Sequence, residues 1–296
     1  IIELMNYNSL IKRKKILVTG GAGFVGSHLV RRLYNNGNTV YVLDNYFTGN
    51  TKNHCKGVIY KKAETQDIFK LYKKIPLDYI YHLGEYSRVE QSYEDFDLVM
   101  RYNNYPFYQV LRLAKLHDAK LIYSGSSTKF SKNIDKVESP YSFSKRINTK
   151  LLVKYAQWFK LKYAITYFYN VYGPGEISKG KYATVIAIFL NLKRKNAKYL
   201  SVTKPGNQKR RFTHVEDIVN GLIIVGKRGF GDDYGIASNK EYTILDLVKL
   251  FNMKPRLTPE KKGNRLGALL KTSKTKNLGW KSFYKLKDYL NDEFSK

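Results

Sequence analysis

Eight residues near the start of the chain restrict its fold more than any others. Thr19-Gly20-Gly21-Ala22-Gly23-Phe24-Val25-Gly26 stands between a β-branched apolar run, Ile16-Leu17-Val18-Thr19, and a helix-like stretch over residues 24–35. Glycines at 20, 23 and 26 permit a tight strand-to-helix turn, close approach of backbone N–H groups to a pyrophosphate, and close packing of helix on strand. The glycine spacing has force only in such a context. A second strand candidate, Thr39-Val40-Tyr41-Val42-Leu43, ends at Asp44, 24 residues after Gly20. A carboxylate there accepts hydrogen bonds from ribose hydroxyls and repels a 2′-phosphate, so the pattern selects NAD over NADP.

Further apolar runs at residues 78–82, 120–123 and 163–167 alternate with helical patterns. Near-continuous apolar strands between helices predict a parallel sheet covered on both faces, an α/β doubly wound (Rossmann) fold. After Gly173-Pro174-Gly175 the alternation is lost. We expect an NAD-binding Rossmann domain over residues 12–170, rejoined by 212–238. A smaller, irregular α/β substrate-binding domain is expected from 171–211 and 239–296. Cys55 is the only cysteine, which excludes a disulfide scaffold and fits a reducing, cytoplasmic compartment. The longest apolar stretches fall short of the roughly 20 residues that span a bilayer. Lys12, Arg13, Lys14 and Lys15 follow the short apolar start, which does not read as a signal peptide.

A second constellation lies mid-chain. Ser139-Pro140-Tyr141-Ser142-Phe143-Ser144-Lys145 reads as a helix start, with an amphipathic pattern continuing to about residue 156. Tyr141 and Lys145, four apart, share one helical face. A free phenol titrates near 10, so proton abstraction by tyrosine at neutral pH needs positive charge beside it. Lysine and an oxidised nicotinamide both supply it. Gly125-Ser126-Ser127-Thr128 follows a buried strand and brings a hydroxyl near that helix. With 26 tyrosines in the chain, Tyr-x-x-x-Lys alone arises by chance; joined to the glycine turn it does not.

With these motifs in order, the chain resembles the extended short-chain dehydrogenase/reductases of the nucleotide-sugar (UDP-glucose 4-epimerase-like) epimerase/dehydratase family. The resemblance also rests on Asp44-Asn45, Asp67-Ile68, His82-Leu83, residues 124–128 and Asn170-Val171-Tyr172-Gly173-Pro174-Gly175. Gln208-Lys209-Arg210-Arg211-Phe212 with Val215 and Asp217, and Leu278-Gly279-Trp280, complete it. It implies roles. Tyr141 would be catalytic base and then acid, Lys145 its partner and the holder of the cofactor ribose, and Ser126 the hydroxyl that orients the sugar. Gly20, Gly23, Phe24, Val25 and Gly26 would meet the pyrophosphate, Asp44 and Asn45 the adenosine ribose, Asp67 and Ile68 the adenine. Leu83 and Gly84 would border the nicotinamide. Asn170 and Arg210 fall where the family binds the substrate diphosphate, a role that suits a bidentate guanidinium. No metal is implied, and none of His28, His54, His82, His117 and His214 stands at metal-ligand spacing.

Within that family a 4-epimerase needs little beyond this set. A 4,6-dehydratase adds an Asp-Glu pair just after the catalytic hydroxyl, and uronic acid decarboxylases a Glu in the same loop. Ser127, Thr128 and Lys129 occupy those places, so epimerisation of a UDP-sugar at C4 is expected. A reductase, or an epimerase acting at another carbon, uses the same residues. Three departures bear on the sugar. Gly84-Glu85 replaces the family's small pair, Arg88 follows and could face a phosphate, a uronic carboxylate or Glu85, and Pro106-Phe107 would kink or crowd the next helix. The resemblance also implies a homodimer joined through the Tyr141 helix and the one over residues 104–117.

Charge offers a reading from another class. Lys+Arg 53 against Asp+Glu 24 gives a formal +29, which points to nucleic acid. A nucleic-acid-binding protein on a dehydrogenase-like scaffold would be marked by loss of the Tyr-x-x-x-Lys chemistry, and here that motif is intact. The cations are 40 Lys and 13 Arg, scattered along the chain, as adenine- and thymine-rich codons would give. No specific nucleic-acid partner and no membrane are expected; the field would speed capture of an anionic nucleotide sugar.

Overall fold

The computed structural model describes residue 7 and residues 10–130, 138–168, 170–260 and 270–296. Each of those apolar runs becomes a strand: Lys15–Thr19 (β1), Thr39–Asp44 (β2), Tyr79–His82, Lys120–Gly125 and Tyr163–Tyr167. Ile59–Lys62 (β3) joins them, so these last three are β4, β5 and β6. The chain continues through Val171–Tyr172 (β7), Tyr199–Thr203 (β8), Lys209–Arg211 (β9), Thr213–His214 (β10), Gly231–Gly235 (β11), Glu241–Thr243 (β12) and Lys254–Thr258 (β13). Seven strands form one sheet in the order β11-β6-β5-β4-β1-β2-β3. Every pairing in it is parallel. β7 with β10, β9 with β12 and β8 with β13 make three two-stranded sheets.

Strand alternation divides the apolar side chains between two cores. Among the described residues, the α-helices of five residues or more are Phe24–Asn35 (α1), Ile68–Tyr72 (α2), Tyr105–Leu116 (α3), Pro140–Phe159 (α4), Val185–Arg194 (α5), Val215–Arg228 (α6), Ile244–Leu250 (α7), Ser273–Asn277 (α8) and Leu286–Phe294 (α9). Ile16, Val18, Val40, Val42, Ile122 and Ala164 pack with Leu29, Val30 and Leu33 of α1 and with the apolar length of α6. Leu17, Leu43, Ile80, Leu121 and Ile165 point the other way, onto α2, α3 and α4. A sheet sandwiched in this way is buried on both faces, which explains why its strands read as apolar runs. A third core gathers Tyr172, Ile186, Phe189, Val202, Phe212, Leu247, Phe251 and Leu290. Among the described residues no helix is long and apolar enough to cross a membrane.

A helical stretch runs from Phe96–Val99 through a π-helical turn over Met100–Asn104 directly into α3, and Pro106 follows that π turn, the kind of irregularity that accommodates a missing N–H inside a helix. Phe107, rather than crowding the helix, is fully buried against the rings of His82 and Tyr123.

Candidate active site

A cleft of about 630 Å³ opens where β1, β2, β4 and β5 end, the carboxyl edge at which such sheets bind ligands. Its floor is the glycine turn. Gly20 has φ +70°, and a Cβ there would lie 2.8 Å from the Gly84 Cα. A Cβ on Gly26 would lie 2.1 Å from the Gly20 carbonyl oxygen. Both backbones therefore pass too close for any side chain. Gly23 caps α1 without a side-chain hydrogen bond, and no acidic residue occupies its first turn. The helix end thus offers backbone N–H groups and positive dipole to an anion. Asp44 is buried under this turn, its Oδ2 accepting from Ala22 N–H at 2.9 Å and Oδ1 from Tyr46 N–H at 2.8 Å. Burial pushes its carboxyl up, and those two N–H groups oppose the shift. A glycine cradle without Cβ atoms, an uncapped helix end and a carboxylate at the second strand fit NAD.

Gly20, Gly23, Phe24, Val25, Gly26, Asp44, Asn45, Leu83 and Gly84 all line the cleft. Asp67 and Ile68 are not among its lining residues; Glu64 and Thr65 form that wall, and Ile68 is buried in the core beside α3.

The reacting groups stand opposite. Ser139 caps α4 by accepting from Ser142 N–H at 3.2 Å, and Pro140 occupies the first turn, both favourable starts. The helix carries Tyr141 and Lys145 on one face, and both line the cleft with Ser126, Arg88, Asn170 and Arg210. Asn170 adopts a left-handed φ of +49°, and its buried Nδ2 has no hydrogen-bond partner among the described residues. A buried amide left so is costly unless a ligand completes it. Arg210, on β9, donates Nη1–H to its neighbour's carbonyl at 2.9 Å.

Glu85 is the part that sequence reasoning left open. Its side chain is 1 % exposed and forms an ion pair with Lys145, not with Arg88. Lys145 Nζ also donates to the Ser124 carbonyl at 2.6 Å. Asn148 Nδ2 donates to Glu85 Oε1 at 2.9 Å and Tyr123 OH to Oε2 at 3.2 Å. His82 Nε2 lies 3.4 Å from Oε1 without closing a hydrogen bond. Burial alone would raise the Glu85 pKa; the charge of Lys145 and the nearby His82 outweigh it and hold the carboxyl below its ordinary value. Behind this pair, Asn103 of the π-helical turn donates to Ser144 Oγ at 2.8 Å and accepts from Tyr86 N–H at 2.7 Å. Asn148 stands seven residues after Tyr141 on the same helical face, a spacing that could have marked it; Asn103 carries no such signal.

Glu176 was not singled out from sequence either. It lines the cleft, and burial pushes its carboxyl up to about 7 against hydrogen bonds from Thr184 Oγ1 and Gly173 N–H.

Comparison with known proteins agrees with this geometry. Residues 16–237 match the model of the NAD dependent epimerase/dehydratase family. The chain is 29% identical to UDP-glucuronic acid decarboxylase 6 of Arabidopsis thaliana, covering 97% of this chain and 90% of that protein. It is 28% identical to a putative UDP-glucose 4-epimerase of Methanocaldococcus jannaschii, covering 92% and 95%. The crystal structure of UDP-glucose 4-epimerase with UDP-glucose from Thermotoga maritima superposes with a TM-score of 0.88 at 26% identity, covering 95% of this chain and 98% of that one. With the glycine cradle, the Tyr141–Lys145 helix and a family match across most of its length, this chain belongs to the NAD-dependent epimerase/dehydratase family.

Proposed function

We propose that this enzyme epimerises a UDP-sugar at C4 through a transient 4-keto sugar. Bound NAD supplies a reversible hydride acceptor, so the reaction has no net redox. Gly20, Gly23, Gly26 and Asp44 hold that cofactor, and Lys145 reaches its ribose. Tyr141 takes the proton of the C4 hydroxyl and later returns it, while Ser126 hydrogen-bonds the same oxygen. Asn170 and Arg210 bind the diphosphate and leave the sugar ring free to turn between the two hydride transfers.

The observation that carries this reading is the residue set beside Ser126. Where a dehydratase or decarboxylase of the family carries its acid, this chain has Ser127, Thr128 and Lys129. The Lys129 ammonium turns away to Asp232 and to Asp233 at 2.8 Å. Glu85 is committed to Lys145. A homodimer is part of the proposal, since Tyr105 and Tyr108 of α3 are 70 % and 52 % exposed, and Ile147 and Phe159 of α4 are exposed as well. Exposed apolar side chains on two neighbouring helices are the kind of surface that a protein interface covers.

Conversion of UDP-glucose and UDP-galactose, with their uronic acid and N-acetyl counterparts, can be followed by NMR in wild type and Tyr141→Phe. Loss of the acid–base group should lower kcat by about 10²- to 10⁴-fold while NAD still binds. Wild-type turnover in the variant would refute the mechanism, and a net reduced product would favour the reductase reading.

A further inference from the structure

The charges at the reacting end of the cleft do not cancel. Lys145 and Glu85 neutralise one another. Arg88, in the loop after β4, lines the same cleft as Tyr141 and Ser126. Its Nε and Nη2 donate to the Tyr182 carbonyl at 3.1 and 2.6 Å, and Nη1 donates to Ser87 O and Oγ at 3.1 and 3.2 Å. Every one of these acceptors is neutral, and among the described residues no carboxylate pairs with Arg88. Desolvation is the largest influence on this guanidinium and works against its charge; the groups that favour the charge are Tyr141 first, then Tyr86 and Tyr182.

A strap between the loop and residue 182 needs a hydrogen-bond donor but no charge. A partly buried cation without a counter-ion is unfavourable. Such a group is retained where an anion completes it. Four contacts leave at least one of the five guanidinium N–H groups unused, and the fixed fork is already oriented. The diphosphate has its own residues in Asn170 and Arg210 under the reading above. An anionic group near Tyr141, the residue that handles the reacting hydroxyl, belongs instead to the sugar.

We propose that Arg88 binds a carboxylate carried by the sugar, so that the preferred substrate is a UDP-hexuronic acid rather than a neutral UDP-hexose. This assignment rests on the nucleotide-sugar reading and narrows it.

The test is calorimetric binding of UDP-glucuronate, UDP-glucose and UDP to the NAD-loaded Tyr141→Phe protein, in which turnover is strongly slowed. The experiment is repeated with Arg88→Gln and Arg88→Lys added, with thermal melting to confirm folding. UDP-glucuronate should bind tighter than UDP-glucose by on the order of 10- to 100-fold, the worth of a charge-assisted contact. Arg88→Gln should bring that ratio close to one, and Arg88→Lys should keep part of it. The proposal is overturned if the parent protein does not prefer the uronate. It is equally overturned if Arg88→Gln weakens UDP-glucuronate, UDP-glucose and UDP by one common factor, since Arg88 would then serve the diphosphate. Failure of all three ligands to bind would sink the nucleotide-sugar reading itself, a result distinguishable from the first two.

Discussion

Glu85 shows how one residue can be tolerated only because of its partners. A carboxylate in a side-chain environment 1 % exposed is held by Lys145, Asn148 and Tyr123. Removing one member of a buried pair leaves the other charged and unpaired, at a cost of about 3–5 kcal/mol. Glu85→Ala should therefore lose stability of that order in urea titrations, and the double variant Glu85→Ala/Lys145→Met should recover part of it. The pH dependence has a definite sign. The folded-state carboxyl titrates below the ordinary 4.5, so its contribution is complete above pH 4.5 and is lost as pH falls through the folded value. Wild type should lose stability below pH 4.5 more steeply than Glu85→Gln. Sequence alone marked Glu85 and Arg88 as departures from the family. It did not show which cation Glu85 pairs with, because Lys145 is 60 positions away and the two meet only where α4 packs across the end of β5 and the loop after β4.

Elements differ in how much of their placement is local. β1, the glycine turn and α1 are legible because the turn needs glycine at 20 and 26 and the flanking patterns switch period at that point. β3 is short and mostly exposed, its Ile59-Tyr60 followed at once by Lys61 and Lys62, so no sustained apolar run announces it; pairing with β2 makes it a strand. β11, written Gly-Asp-Asp-Tyr-Gly, pairs with β6 through an irregular register between Gly231 and Tyr234. β11 does not read as a strand by propensity. The exposed face shared by α3 and α4 is the element on which self-association would rest. Sedimentation at micromolar concentration should show a dimer for wild type and a monomer for Tyr105→Asp/Tyr108→Asp. A wild-type monomer would discard that interface.

At the scale of the whole molecule, the C-terminal segment is fastened by a group near the start of α6. Asp217 is fully buried; its carboxylate accepts from Ser282 Oγ at 2.8 Å and from Phe283 and Tyr284 N–H at 3.1 Å. The indole N–H of Trp280 donates to the Asp217 carbonyl at 2.8 Å. Asp217→Ala should cost on the order of 1–3 kcal/mol, since it removes the shared acceptor of the Ser282 hydroxyl and the Phe283 and Tyr284 N–H groups. Limited proteolysis should then cut after α8 in the variant but not in wild type. Asp217 stands in the first turn of α6, and the groups that its carboxylate holds lie 65 to 67 positions on. The net charge of +29 likewise says little about specific binding, whereas the Lys145–Glu85 pair and the unpaired Arg88 define where charge is left over. Residue order alone is enough for the parallel α/β frame, the dinucleotide turn and the Tyr141–Lys145 pair, because each depends on residues a few positions apart. Which charges cancel and which face the cleft follows from packing, because electrostatic pairing depends on distance in space and on burial, and both are set by how remote helices pack on the sheet.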